Sequence, residues 1–282
     1  MIILGHENPD VDSIISAILL NKILTKKGYS SEFIIPDKNI NKDTLEILNK
    51  YNINPNNYMK ELPKEENKYI LVDHNDRNVN GKIICIIDHH ITQKDYNIKH
   101  YYNTNVSSTA CFIAKHTEEL LDKNDLELAV LATMIDTVSF HSTKGRKEDL
   151  EWCKHICDKY NLNYEKLYNQ GLYLTNMDNI DEAALNGLKK YNINNKKIES
   201  SYIQIKNPKY EEDKINAIIE ILKKYIIKED LYAFVFIVHD MTEFKTMYYL
   251  IEEDNIKTKY YDTYEQRGNT IMPEVFEYVN NK

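Results

Sequence analysis

Long hydrophobic runs are absent from this sequence of 282 residues. The longest uninterrupted apolar run, from Leu231 to Val238, is much shorter than the roughly 20 residues that a membrane-spanning helix needs. The N-terminus reads MIILGHENPD, so polar and acidic residues come too early for a secretory signal peptide. We therefore expect a cytoplasmic protein with no membrane partner.

Cysteine is scarce, and its spacing does not indicate a disulfide framework. The four cysteines are Cys85, Cys111, Cys153 and Cys157. The last two stand four positions apart on a predicted helix, where a zinc site is the alternative to buried thiols. Buried thiols are the interpretation we favour, because free cysteine is among the most buried residue types.

Positive charge is also in short supply. The chain has 36 basic against 44 acidic side chains and a formal net charge of −8. This balance argues against a nucleic-acid partner, because nucleic-acid-binding proteins usually present a basic face. It leaves room for a small anionic substrate, since bound metal ions can reverse the local field. Arginine occurs only at Arg77, Arg146 and Arg267.

Apolar runs alternate with helical patterns in the first half of the chain. Strand-like runs lie at 1–5, 31–36, 69–72 and 83–87, and helical spacing begins at Val11 and returns near 42–51, 107–122, 125–141 and 146–160. This alternation predicts an α/β fold with a parallel sheet and flanking helices.

The pattern changes near residue 171, where we expect an interdomain connection. Strand-like stretches at 201–205 and 232–238 and two later ones accompany a long helix near 211–228 and a final helix after Pro273. We expect a smaller mixed α/β domain here. The predicted domains cover residues 1–176 and 183–282, with the active site in the cleft between them.

Acidic and imidazole side chains follow the predicted strands. The first strand runs into GHENPDVDS, the run at 69–72 into Asp73 and His74, and the run at 83–87 into Asp88, His89 and His90. The carboxyl ends of parallel strands share one edge of a sheet, where ligand sites form, so we expect these clusters to meet. A fourth candidate, Asp136, ends the apolar stretch LAVLATMI.

The residue types of these clusters favour a metal site. The carboxylates are Asp10, Asp12, Asp73 and Asp136, and the imidazoles are His6, His89 and His90. Four carboxylates would repel one another strongly without cations, and two divalent ions would neutralise them. Mixed oxygen and imidazole ligands suit Mn²⁺, Fe²⁺, Co²⁺ or Zn²⁺ better than Ca²⁺ or Mg²⁺. Two such ions bridged by a carboxylate and a hydroxide hydrolyse phosphoryl substrates.

Each candidate also has a purely structural interpretation. Asp12 could favour a helix N-terminus, the two consecutive histidines could lie on the surface, and Asp136 could be a buried, hydrogen-bonded carboxylate. All of these would have to hold together at one edge of the sheet. We therefore adopt the metal site as the better interpretation.

The ordered motifs resemble those of the DHH phosphoesterase superfamily. They are GHENPDVDS, the DHN at 73–75, the DHH at 88–90 and the late Asp136. The first motif is similar to that of the manganese-dependent (family II) inorganic pyrophosphatases, whereas the related exopolyphosphatases tend to differ at His6. The second domain resembles the DHH-associated domain, which closes over the crevice and supplies cations to the phosphates.

The resemblance implies a partition of the metal ligands, with Asp73 shared between two ions. One ion would be held by His6, Asp10 and Asp73, and the other by Asp12, Asp73, His89 and Asp136. It also implies that His90 faces the substrate phosphate, that Asp88 orients the neighbouring imidazoles, and that His74 lies behind the ligands or beside the substrate.

The C-terminal motif departs from the pattern of the family. The family's Ser-Arg-Lys-Lys-Gln corresponds here to Gln266-Arg267-Gly268-Asn269-Thr270. Arg267 is retained and suits bidentate phosphate contact, whereas Gly268 replaces a phosphate-binding lysine. Lys189 and Lys196 stand where the family's other basic contacts would fall, although a surface lysine is an equal alternative for each.

These features predict hydrolysis of inorganic pyrophosphate, bound with Mg²⁺, to two phosphates by a hydroxide bridging two Mn²⁺ ions, with Co²⁺ as an alternative metal. The alternatives are an exopolyphosphatase, which the looser motif at 266–270 would suit, and a non-catalytic metal or nucleotide sensor. The nucleic-acid-degrading branch of the superfamily carries Gly-Gly-Gly-His, and this sequence has no Gly-Gly pair. A homodimer is consistent with the pyrophosphatase family.

Overall fold

The computed structural model of the chain describes residues 1–36, 40–90 and 98–282, which form two compact units. The N-terminal unit comprises Met1–Phe140 and Lys144–Gly171, and the C-terminal unit comprises His141–Thr143 and Leu172–Lys282. The predicted domain boundaries differ from these units at segment 141–143 and near residue 172, and as functional domains they stay predictions.

A parallel sheet of five strands forms the centre of the N-terminal unit. Its strands are β1 (Ile2–Leu4), β2 (Glu32–Phe33), β3 (Asn67–Val72), β4 (Gly81–Asp88) and β5 (His100–Asn103), in the order β2-β1-β3-β4-β5. Successive residues of β3 enter different apolar clusters, Ile70 on one face and Leu71 on the other. Both faces of the sheet are thus covered, which explains the continuous apolar runs of these strands.

Helices pack around this sheet. They are α1 (Val11–Lys26), α2 (Lys42–Lys50), α3 (Thr109–His116), α4 (Lys123–Asp136), α5 (Lys147–Tyr160) and α6 (Tyr164–Gly171). The Asp10 side chain caps α1 by accepting from Ser13 N at 3.1 Å, and Ser108 caps α3 by accepting from Cys111 N at 3.1 Å. These caps fix the two helix starts that face the carboxyl edge of the sheet.

The C-terminal unit is built on a mixed sheet. Its strands are β6 (Lys189–Ile193), β7 (Lys196–Ile205), β8 (Ala233–Asp240), β9 (Lys245–Ile251) and β10 (Ile256–Tyr261), in the order β10-β9-β8-β7-β6. Its helices are α7 (Ile180–Ala184), α8 (Glu212–Glu229) and α9 (Met272–Asn280). β7 and β8 are parallel and joined through α8, whereas the other pairs are antiparallel. The predicted fold class is therefore confirmed.

Several elements lie outside the sequence predictions. β5 and β6 are edge strands whose residues are mostly exposed, so they carry no apolar run that would reveal them. The stretch near 171–186, expected as a connection, contains the short helix α7.

Two predictions about burial and membranes can be compared with the structure. Cys153 and Cys157 are buried thiols, as expected, and Cys111 is buried as well. Within the described ranges, no helix has the length and apolar character needed to cross a membrane.

Candidate metal centre

The loop after β1 and the end of β3 bring the first group of ligand types together. His6 Nε2 lies 3.4 Å from Asp10 Oδ2 and 3.6 Å from Asp73 Oδ2. A Cβ on Gly5 would lie 2.1 Å from Ser13 Oγ, so glycine permits the close approach of β1 to α1. The same hydroxyl accepts a hydrogen bond from His6 N at 3.1 Å. This contact fixes the backbone from which the His6 imidazole projects.

A second group of ligand types forms around His89, directly after β4. His89 Nε2 lies 3.9 Å from Asp12 Oδ2, in the first turn of α1, and 3.5 Å from Asp136 Oδ2, at the end of α4. It also lies 3.2 Å from Asp73 Oδ1. Three different elements therefore supply carboxylates to one imidazole nitrogen.

Asp73 belongs to both groups through different oxygens. Oδ2 faces His6 and Oδ1 faces His89, at the distances given above. The backbone of Asp73 has a φ of 62°, which is uncommon for a residue other than glycine and turns the chain sharply after β3. Its N–H donates to Ile87 O of β4 at 2.9 Å, so the residue stays anchored to the sheet. An aspartate in this position can bridge two cations.

Unpartnered atoms at the second group show that a cation fits there. His89 Nε2 and Asp136 Oδ2 are buried, and neither has a hydrogen-bond partner within the described part of the chain. The opposite ring nitrogen, His89 Nδ1, is 3.3 Å from Val106 O, an arrangement that leaves Nε2 facing the carboxylates. Metal-ligating histidines are commonly oriented by a backbone carbonyl in this way. We conclude that the donor set fits a divalent transition metal.

Asp12 is held by the start of α3. Its Oδ2 accepts from Thr109 N at 2.8 Å and its Oδ1 from Ala110 N at 3.0 Å. The hydroxyl of Thr109 donates to Asp73 Oδ1 at 3.2 Å. A helix N-terminus favours a carboxylate, because its free N–H groups and its dipole are positive. The cap of α3 therefore keeps two of the four carboxylates in place.

Asp88 sits beside the ligand groups and binds His90. Its Oδ1 lies 2.9 Å from His90 Nδ1 and accepts from His90 N at 3.1 Å, and its Oδ2 accepts from Asn75 Nδ2 at 2.6 Å. Burial opposes ionisation of Asp88, but the hydrogen bond and charge of His90 outweigh it and lower the pKa of the carboxyl. The His90 side chain is 43% exposed, so its ring remains accessible.

His74 is buried and follows Asp73 directly in the chain. Its Nδ1 lies 2.9 Å from Val72 O, and its Nε2 has no partner among the residues that the structure describes. Burial, the largest effect, lowers the pKa of the imidazole. These positions are compatible with both roles predicted for His74.

Nearby carboxylates raise the pKa of His6 and of His89. Burial opposes a charge on His6, but Asp10 outweighs it and raises the pKa of the imidazole to about 9. Burial is likewise outweighed at His89, where Asp73 and Asp136 raise the pKa to about 9. Against the effect of burial, His6 lowers the pKa of Asp10 to about 2. A divalent cation at either group would replace these protons.

The pKa values of Asp12 and Asp73 are shifted in opposite directions. Burial and the charges of Asp73 and Asp136 raise the pKa of Asp12 well above its ordinary value. Burial acts the same way on Asp73, but the nearby imidazoles of His89, His90 and His6 outweigh it and lower its pKa. The repulsion at Asp12 is the physical sign of a cluster with excess negative charge.

Lys144 is a member of this centre that the sequence analysis missed. Its Nζ lies 2.7 Å from Asp136 Oδ1, and its side chain is 19% exposed. In a chain so rich in lysine, nothing in the local sequence distinguishes this residue from a surface lysine.

The predicted substrate contacts of the second domain lie in the C-terminal unit. Arg267 Nη1 donates to Gly187 O and, at 3.4 Å, to Ser200 O, and its guanidinium carbon lies 5.4 Å from the centre of the Tyr202 ring. Lys196 Nζ donates to Val279 O at 3.0 Å. Lys189 is the first residue of β6, where it is exposed. Their contacts with a phosphate stay predictions.

Comparison with known proteins supports the resemblance drawn from the motifs. Residues 1–136 match the DHH family, N-terminal domain. The manganese-dependent inorganic pyrophosphatase of Bacillus subtilis (strain 168) is 25% identical over 261 residues, which cover 86% of this chain and 83% of that protein. The protein of the same name from Methanocaldococcus jannaschii is 27% identical over 266 residues, which cover 85% and 82%.

A solved structure with the same fold also matches. It is named as a family II inorganic pyrophosphatase from Methanococcus jannaschii and superposes with a TM-score of 0.73 at 23% identity, covering 99% of this chain and 100% of that one. At this identity the match shows the fold. The match over residues 1–136 confirms the resemblance to the DHH family that was inferred from the motifs.

Proposed function

We propose that this protein hydrolyses inorganic pyrophosphate to two phosphates with the help of two Mn²⁺ ions. The observation that carries the proposal is Asp73, whose two oxygens face two separate groups of ligand types. The names of relatives that cover more than four-fifths of the chain support the same activity.

The two groups define the proposed ligands. His6 and Asp10 would hold one ion, and Asp12, His89 and Asp136 the other, with Asp73 shared. When bound, the ions would acidify a water molecule and polarise the phosphoryl oxygens. Mg²⁺ would enter with the substrate.

His90 is the proposed donor to a phosphoryl oxygen. Asp88 holds its Nδ1 at 2.9 Å, which leaves Nε2 for the substrate. A preorganised N–H stabilises charge that develops in the transition state without further reorganisation. Asp88 is thus a positioning residue, and its lowered pKa keeps it an anion that can hold the ring.

Arg267 is the proposed phosphate contact of the C-terminal unit. Its guanidinium is oriented by Gly187 O and Ser200 O, which leaves further N–H groups for a ligand. Lys189 and Lys196 are weaker candidates. Lys196 already donates to Val279 O, and Lys189 is exposed at the start of β6.

Gly268 favours a second candidate function, the hydrolysis of longer polyphosphates. No heavy atom lies within 4 Å of a Cβ built at this position, so the missing lysine leaves open space beside Arg267 in the chain. A looser cation cage would admit a longer phosphate chain.

Phosphate release from three substrates tests the proposal. Metal-stripped protein is reloaded with Mn²⁺ and assayed with Mg²⁺ on pyrophosphate, tripolyphosphate and long polyphosphate. We expect pyrophosphate to be the preferred substrate. Preference for the longer substrates would establish polyphosphate hydrolysis instead. Metal binding without phosphate release would contradict both hydrolytic functions and favour the non-catalytic sensor.

A pair of variants links the activity to Asp73. We expect Asp73→Asn to reduce phosphate release by ~10³-fold or more, because both ions lose a ligand. Asp76→Asn is the matched control, since Asp76 is exposed and three positions further along the same loop. Full activity in Asp73→Asn would rule out the shared ligand.

A further inference from the structure

One carboxylate of the candidate metal centre divides its two oxygens between a lysine and the ligand groups. Asp136 Oδ1 lies 2.7 Å from Lys144 Nζ. Asp136 Oδ2 is buried, lies 3.5 Å from His89 Nε2 and has no hydrogen-bond partner within the described ranges. The ammonium group therefore occupies one side of the carboxylate and leaves the other side for a metal ion.

Asp136 needs such a partner to keep this orientation. It is the last residue of α4, where the negative end of the helix dipole disfavours an anion. The carboxylates of Asp12 and Asp73 lie around the same imidazole and repel the carboxylate of Asp136. The Asp136 side chain is 14% exposed, so it has an outlet toward water. Without the ammonium group of Lys144, repulsion by these two carboxylates would favour turning the Asp136 side chain toward water.

The loop before α5 positions the ammonium group of Lys144 beside Asp136. Val138, Ser139 and Phe140 have φ values of 51°, 51° and 66°, which fold the chain back after α4. A Cβ on Gly145 would lie 3.0 Å from Phe140 Cα, so the residue after Lys144 is packed closely against the fold-back. Arg146 N then donates to the buried Ser107 Oγ at 2.9 Å. Both anchors fix the backbone next to Lys144.

We propose that Lys144 is a positioning residue for the second metal ion, because it holds Asp136 with Oδ2 toward His89. This inference rests on the proposed function and adds a residue that acts through a ligand. Hydrogen-bonded partners of ligating groups typically contribute 10–100-fold to metal affinity. The larger effect falls on one ion, since Lys144 hydrogen-bonds to Asp136, whereas only its charge acts on Asp73 and Asp10.

Calorimetric titration of metal-free protein with Mn²⁺ tests this asymmetry. We expect two ions per chain in the unchanged protein. In Lys144→Met, the second equivalent should bind ~10–100-fold more weakly, while the first changes by less than ~2-fold. Lys144→Arg should restore most of the loss, because it keeps a charged donor. Lys147→Met is the matched control, since the Lys147 side chain is 84% exposed and its ion pair with Glu151, at 3.9 Å, lies on the surface.

Activity against Mn²⁺ concentration gives a second readout. The Mn²⁺ concentration for half-maximal activity should rise in Lys144→Met by the same factor as the second dissociation constant, with the plateau retained within ~3-fold. A structural role would instead lower the melting temperature of the metal-free protein and weaken both equivalents alike, which would overturn the proposal.

The remaining outcomes separate this inference from the proposed function. Unchanged or tighter binding of the second ion in Lys144→Met would overturn the role of Lys144 alone, because the lysine would then only repel the metal. Fewer than two ions in the unchanged protein would contradict the two-metal centre itself.

Discussion

His89 and His239 occupy similar places in the two units and have opposite properties. Each is buried at the carboxyl end of a strand that has a parallel neighbour. Around His89, Asp73 and Asp136 outweigh burial and raise the imidazole pKa to about 9. Around His239, burial and the charge of Arg267 lower the pKa to about 3.

The surroundings explain this difference. His239 stacks on Tyr264, with ring centres 4.2 Å apart, and its Nδ1 lies 3.0 Å from Thr246 Oγ1. Among the described residues, no carboxylate is a ring or hydrogen-bond partner of His239, whereas His89 faces three. A sheet edge therefore supplies position only, and the carboxylates of neighbouring elements give an imidazole the surroundings that a metal ligand needs.

The largest contrast is expected from removing each imidazole. His89→Gln should lose the second Mn²⁺ equivalent and reduce phosphate release by ~10²-fold or more, because the ion loses a ligand. His239→Phe should retain both ions and lower the free energy of unfolding by about 1 kcal/mol, through the lost hydrogen bond. Equal loss of Mn²⁺ in the two variants would contradict the proposed difference in metal binding between His89 and His239.

Opposite pH dependence is the second expected contrast. His6 and His89 have pKa values raised from 6.5 to about 9, so they stabilise the metal-free protein fully below pH 6.5 and less as pH rises through 9. His239 has a lowered pKa, so its contribution is present above pH 6.5 and is lost as pH falls below it.

Melting temperatures of metal-free protein from pH 4 to 10 measure both effects. The alkaline loss should disappear when Mn²⁺ is bound, because the metal keeps the imidazoles neutral, and the Mn²⁺ affinity should rise with pH up to about 9. The acid loss should be smaller in His239→Phe. A flat affinity between pH 6.5 and 9 would show that no protons leave the ligands.

Arg267 provides a third and smaller test. Arg267→Lys keeps the charge and loses the planar fork that binds Gly187 O and Ser200 O. We expect the KM for pyrophosphate to rise by ~10-fold while both Mn²⁺ equivalents bind as before. A change in Mn²⁺ stoichiometry would contradict the assignment of Arg267 to the substrate.

The smallest effect is expected from replacing Gly268 with lysine, the residue at this position in the resembled family. Gly268→Lys meets no atom within 4 Å of its Cβ, so the fold should tolerate it. The added ammonium should lower the KM for pyrophosphate by ~3-fold and shift preference away from longer chains. An unchanged substrate preference would remove Gly268 as a determinant of chain length.

Much of the N-terminal unit was predictable because its strands are buried on both faces. Apolar runs marked β1, β3 and β4, and the motifs after them contain every proposed ligand except Asp136, which ends α4. The edge strands β5 and β6 escaped, since exposed strands carry no such run. Local sequence could not reveal Lys144 or His239 as special, because their properties depend on partners from other segments.

The number of Mn²⁺ ions bound by metal-free protein tests the central claim most directly. Titration followed by electron paramagnetic resonance should show two ions per chain with a spin-coupled signal, because the two ions would share Asp73. In Asp73→Asn the coupled signal should vanish and both affinities should fall, while Asp76→Asn should match the unchanged protein. A single ion, or two uncoupled ions that Asp73→Asn leaves unaffected, would contradict the account.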